Sequence, residues 1–137
     1  MLEVQIRPAT DSDLNLVHKS WMRSYRKSVA MQWVSDSDYN LGMQDRIWRI
    51  IRAPGTRVLM ASPPDDTITA FGFIVAGPAA LHYVWTKEAW RRMGVARRLA
   101  LECFPTQTPS LTHVTKMGEQ LWQTKMPSAH YDPFGVP

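Results

Sequence analysis

The chain has 137 residues, 45% of them hydrophobic and 20% charged, with a formal net charge of +4 at neutral pH. That length suits one domain with a real core, and the composition is that of an ordinary globular protein. The single cysteine, Cys103, excludes an internal disulfide framework, and there is no run of about 18 apolar residues to cross a membrane.

At the start, MLEVQIRPAT lacks the apolar centre of a secretion signal. With the lone cysteine suited to a reducing compartment, a cytoplasmic location is expected. Leu2, Val4 and Ile6 alternate with polar residues, the period of a half-buried strand, and Arg7-Pro8-Ala9 breaks it. Thr10 with Asp13 three residues on resembles a capping box, with Asp in place of the usual Glu or Gln. Leu14, Val17, Trp21 and Tyr25 then share one helical face. Ser35-Asp36-Ser37-Asp38 offers caps for a second helix, in which Met43, Ile47, Ile50 and Ile51 fall together, and Pro54-Gly55 ends it. Trp33 and Trp48, around this helix, are read as core or wall packing.

Arg57 to Ala61 reads as a strand, Pro63-Pro64-Asp65-Asp66 as a turn, and Thr67 to Val75 as the hairpin partner. Gly72 inside that partner marks a bulge or a close backbone approach. Leu81 to Thr86 is a short apolar strand, followed by a small-residue turn and an arginine-rich amphipathic helix from Val95 to Phe104. Cys103 reads as a buried residue of that helix rather than a nucleophile. Pro105 to Ser110 is a connector, Leu111 to Val114 a brief strand, and Thr115 to Lys125 a short helix with Met117, Leu121 and Trp122 facing inward. Residues 126–137 carry three prolines and little periodicity.

The stretch from Ala80 to Cys103 is the most informative. A strand that runs into a helix through a small-residue turn leaves the first helical N–H groups unpaired, with the helix dipole behind them. That arrangement suits phosphate. Gly94 and Ala96 keep bulk away from the backbone, and Arg91, Arg92, Arg97 and Arg98 add forked cationic donors. These arginines carry much of the excess charge behind a pI near 9.5, so the charge needs no nucleic acid to explain it. Neither a zinc-finger spacing nor an RNP-type aromatic motif is present.

Arg91, Gly94 and Ala96 fill the positions of the acyl-CoA-binding motif of the GCN5-related N-acetyltransferases, and the chain over roughly residues 3 to 125 resembles that family. The resemblance implies an α/β (α+β) fold: a mixed central sheet of five to six strands flanked by about four helices. Residues 1–125 would form the single domain and 126–137 a proline-containing tail. It implies acetyl-CoA as cofactor, with the turn amides of Arg91, Arg92, Met93, Gly94, Val95, Ala96 and Arg97 on the pyrophosphate. Val84, Trp85 and Thr86 on the preceding strand would contact the pantetheine arm. The expected acceptor is a primary amine on a small molecule or a protein.

The catalytic groups follow the family pattern less closely. Its acid is a tyrosine on the last helix, in the spacing Asn, two residues, Ala, three residues, Tyr; here those positions hold Thr115, Gly118 and Trp122. An indole N–H donates a hydrogen bond but does not ionise usefully. Trp122 would therefore cover the CoA arm, Thr115 would make a polar contact to the cofactor, and Tyr131 from the tail is the candidate acid. His82 is the candidate base, on the strand face shared by Ala80 and Val84, with Tyr83 and Trp85 opposite. A buried structural histidine is the competing assignment. Full-length family members close with two further strands after the last helix, which so few proline-rich residues cannot provide. The acceptor side is then open, completed by a partner chain in a homo-oligomer or larger assembly, or abandoned. Two functions follow: an acyl-CoA-dependent N-acetyltransferase, and a catalytically inactive binding or structural protein with the same fold, of the kind found in phages.

Overall fold

The computed structural model describes residues 2–115 and 128–137. Strand β1 (Gln5–Pro8) hands over to helix α1 (Asp11–Arg26) at a capping box. Thr10 Oγ1 accepts from the Asp13 N–H, and the Asp13 carboxylate accepts from the Thr10 N–H at 2.8 Å. Asp thus fills the role usually taken by a longer acid. Arg7 clamps the same carboxylate at 2.6 Å and reaches the Thr67 carbonyl at 2.9 Å, so the cap also ties β1 to the loop after the second strand. Helix α2 (Asp36–Arg52) starts at Ser35, whose hydroxyl accepts from the Asp38 N–H.

Strands β2 (Arg57–Ser62), β3 (Gly72–Ala76) and β4 (Ala80–Thr86) follow, then helix α3 (Val95–Cys103) and the short strand β5 (Ser110–Leu111). The hairpin partner is shorter than expected. Asp66 accepts from the N–H groups of Ile68 and Thr69, which holds the chain in a turn until Gly72. The sheet order is β1-β2-β3-β4-β5, antiparallel except for the parallel β4–β5 pair. This is the mixed α+β sheet expected, with five strands and three α-helices among the described residues. The fourth expected helix lies almost entirely outside them.

One face of the sheet packs on α1 and α2 through Val17, Trp21, Met43, Ile47, Ile50, Phe73 and Tyr83. Both predicted helical stripes therefore point inward. The other face packs on α3 through Leu59, Ile74, Leu81, Val95 and Leu99. Because β3 is covered on both sides, all five of its residues are buried. Trp33 departs from its expected packing role: it sits in the α1–α2 connection and is 91% exposed. Trp48 is half-buried, stacked on His18 at 4.6 Å, with Arg52 over its ring.

Residues 128–137 do not trail away from the sheet. The Leu111 N–H donates to the His130 carbonyl and its carbonyl accepts from the Asp132 N–H, both at 2.7 Å, while Ala129 is buried. Tyr131 thereby makes a parallel bridge on the outer edge of β5.

Candidate active site

Strand β4 and helix α3 build the site. The close approach anticipated at Gly72 is real. A Cβ there would run into the Trp85 carbonyl and stand 3.1 Å from the Thr86 Cα and 3.2 Å from the Val95 side chain. The missing side chain lets the first turn of α3 press onto β3 and β4. Trp90 packs on Phe71 at 4.5 Å, and Arg91 Nε donates to the Thr86 carbonyl at 3.1 Å. These contacts fasten the turn to the end of β4.

Between them the backbone bends sharply. Arg92 has φ +67° and Gly94 φ +82°, both left-handed, and Gly94 is the N-cap of α3. Glycine adopts that conformation without penalty; arginine does not. No side chain caps the helix. Among the described residues, no acceptor meets the N–H groups of Val95, Ala96 and Arg97, and the space a Cβ of Gly94 would enter is open. Arg92, Met93 and Arg97 are exposed, Arg91 and Ala96 partly so, and Val95 is buried beneath the turn. The turn thus brings open main-chain donors, the positive end of a helix dipole and guanidinium groups together.

Strands β4 and β5 pair at Ala80–Ser110 and Leu81–Leu111, flanked by bonds from the Ser110 N–H to the Ala79 carbonyl and from the Thr112 N–H to the Leu81 carbonyl. Val84, Trp85 and Thr86 have no β5 partner among the described residues. Thr115 is the last described residue after β5 before residue 128, and Trp122 is outside the described residues.

His82 lies on β4 next to its last pair with β5, at a point where the register with β3 shifts. Val75 pairs with Tyr83 and Ala76 with Leu81, so His82 has no partner on β3 and forms a bulge. The bulge reverses the alternation: Tyr83 joins the α1–α2 core while Leu81 joins the α3 core. Val84 packs on the α3 side and Tyr83 and Trp85 on the α1–α2 side, as alternation requires, while the bulge puts Leu81 on the same side as Val84. Its side chain is 2% exposed, and Nδ1 lies 2.8 Å from Thr112 Oγ1, which is also 2.9 Å from His113 Nδ1. Burial pushes the His82 imidazole down to about 4. Burial, reinforced by His82 and Arg46, pushes His113 to about 3. Both rings are neutral at pH 7. His82 also lines a cavity of about 430 Å³ with Thr56, Gly77, Pro78 and Ser110.

The sequence reading missed Thr112 and His113 as partners of His82, since only the β4–β5 pairing brings them together. His113 is further enclosed edge-on by Trp21 at 5.1 Å and Tyr25 at 4.9 Å. Tyr131 reaches this region from the tail: it is half-buried and shares a hydrogen bond with Tyr25. Burial, with Tyr131 alongside, raises the Tyr25 hydroxyl to about 12. Cys103 is half-buried on α3, and burial raises its thiol, which disfavours a nucleophilic thiolate. No cluster of metal-ligating side chains occurs among the described residues, and no helix among them is long and apolar enough to cross a membrane.

The described residues thus form a five-stranded mixed sheet with helices on both faces and an α3 that starts at a left-handed glycine. Solved structures make the fold specific. A GCN5-related N-acetyltransferase from Rhodopseudomonas palustris superposes with a TM-score of 0.56 at 16% identity, over 90% of this chain and 81% of that one. The YycN protein of Bacillus subtilis gives 0.62 at 14% identity, over 94% and 92%. An acetyltransferase of the same family from Staphylococcus aureus Mu50 gives 0.56 at 14%, over 88% and 79%. The chain has the fold of the GCN5-related N-acetyltransferases. No family model and no curated protein sequence matches it.

Proposed function

We propose that the chain binds acetyl-CoA and transfers its acetyl group to a primary amine. The observation that carries this reading is the uncapped start of α3, with Gly94 left-handed and open space before it. The N–H groups of Val95, Ala96 and Arg97, and the bend at Arg92, Met93 and Gly94, would hold the pyrophosphate. Arg91, fixed on the Thr86 carbonyl, keeps the bend in place. The left-handed strain at Arg92 is the kind stored at a functional turn. Main-chain groups of Val84, Trp85 and Thr86, which have no β5 partner among the described residues, would take the pantetheine arm, with Thr115 and Trp122 as further contacts. Bound there, acetyl-CoA supplies an acyl group activated as a thioester. The chain's own contribution is chiefly orientation. His82, neutral at pH 7, is the proton acceptor of this proposal, and the Tyr131 hydroxyl the donor.

A second reading, an inactive binding protein with the same fold, draws support from His82 itself. An imidazole held near 4 is a weak base, and Tyr131 is already engaged with Tyr25. Calorimetry with acetyl-CoA separates the two readings from a chain that binds no coenzyme. Micromolar affinity is expected, and Gly94→Glu should abolish it by bulk and charge. No heat at millimolar coenzyme would end both the coenzyme assignment and the enzyme reading. If binding is seen, amine-dependent thiol release identifies the enzyme. Loss of turnover in His82→Ala with unchanged affinity assigns the proton acceptor; unchanged turnover removes it.

A further inference from the structure

A second cationic site lies away from the α3 turn. Lys19 and Arg23 of α1 and its C-cap Lys27 stand four residues apart, which places them on one face over about 12 Å. All three are exposed, and among the described residues none has an ion pair. Like charges at that spacing oppose each other and the helix that carries them. Together with Asn40 of α2 they line a cleft of about 410 Å³ between the two helices, a size common to small-molecule sites (roughly 300–1,000 Å³).

The cleft contains a single acid, Asp36, and it is already neutralised. Arg26 donates to its carboxylate from Nε at 3.0 Å and NH2 at 2.9 Å, and to the carbonyls of Met31 and Val34 at 2.8 Å. Arg26 also lies over the Tyr39 ring, and the Tyr39 hydroxyl donates to the Met22 carbonyl. Cleft floor and acid are thus satisfied internally, and among the described residues the three outer cations have no ion-pair partner. We propose that this cleft binds a small phosphate-bearing molecule, held by Lys19, Arg23 and Lys27 with Asn40 as a neutral donor. An oligophosphate spans the cationic row, whereas a single carboxylate meets one member of it. The proposal does not depend on the coenzyme reading.

The test uses the whole chain and tripolyphosphate as probe, by calorimetry at low salt and by amide chemical-shift mapping. A Gly94→Glu background removes the α3 turn as a competing anion site. In that background, saturable binding with shifts centred on Lys19, Arg23, Lys27 and Asn40 is expected. Arg23→Gln with Lys27→Gln should weaken it roughly tenfold or more, whereas Arg49→Gln with Arg52→Gln, the same charge change elsewhere, should leave it within about twofold. Loss of all tripolyphosphate binding in Gly94→Glu alone overturns the proposal, as does an equal loss in both double variants. Binding of a short single-stranded oligonucleotide with no response to tripolyphosphate also overturns it, since that describes a surface and not a small-ligand cleft.

Discussion

Thr112→Val probes the buried polar chain between β4 and β5. The Thr112 hydroxyl lies 2.8 Å from His82 Nδ1 and 2.9 Å from His113 Nδ1. It carries one proton, so it can donate to only one of these nitrogens; at least one imidazole must bear its proton on Nδ1 and donate to the oxygen. Valine keeps the shape and removes the oxygen. Two ring nitrogens are then left in a region where Thr112 is 1% and His82 2% exposed. An unsatisfied buried polar group costs about 1–3 kcal/mol, partly offset here because the hydroxyl no longer needs burying, giving a net loss of about 2–4 kcal/mol. For a domain of this size that lowers Tm by roughly 6–15 °C. Thermal and urea unfolding at pH 7.5 would measure it. A loss below about 0.5 kcal/mol, the range of an ordinary surface change, would refute the account of a coupled, satisfied histidine pair.

The same pair sets a pH dependence. Both histidines have folded pKa values below the usual 6.5, so the native state holds them neutral and the unfolded chain binds the extra protons. Their effect is absent above pH 6.5, and stability falls as the pH drops from there towards about 4, by up to about 1.4 kcal/mol per unit for each group. Unfolding measurements at pH 7 and pH 5 check the slope, and a flat profile contradicts it. Gly72→Ala should cost about 2–4 kcal/mol, because the added methyl meets the Trp85 carbonyl and Thr86 Cα, which cannot turn aside as a side chain could. Equal stability in denaturant titrations would show that β3 and α3 yield more easily than the packing implies. Asp13→Ala removes the cap acceptor and the Arg7 partner together, an expected loss of about 1–2 kcal/mol in the same titrations. Although burial alone pushes the Asp13 carboxyl up, Arg7 and the Thr10 bonds hold it below the usual carboxylate value. Its contribution is present above pH 4 and disappears only as the pH falls below that, a window lower than that of the histidines, and the variant should lack this acid-sensitive component.

What could be read from the sequence were the features written in short-range pattern. Periodicity gave the buried stripes of α1 and α2, the cap chemistry gave both helix starts, and Gly72 signalled the close approach it makes. The bend at Gly94 was legible for the same reason: a strand, a small-residue turn and a helix are adjacent in the chain, so their geometry follows from local backbone rules. His82 was not legible. It sits at a one-residue bulge, and its partner Thr112, which also bonds His113, comes from the segment just after β5, 30 residues away. A bulge is a compromise between two strands, invisible in either alone. The docking of residues 129–132 was not legible either, because proline content says little about whether Leu111 will offer its free edge to His130 and Asp132. The sequence alone thus determined the two long helices, the apolar strands and the small-residue bend before α3, since those depend on neighbours in the chain. Only the tertiary structure decided which polar groups are buried together, because pairing across the sheet depends on register, and register is settled by the whole fold.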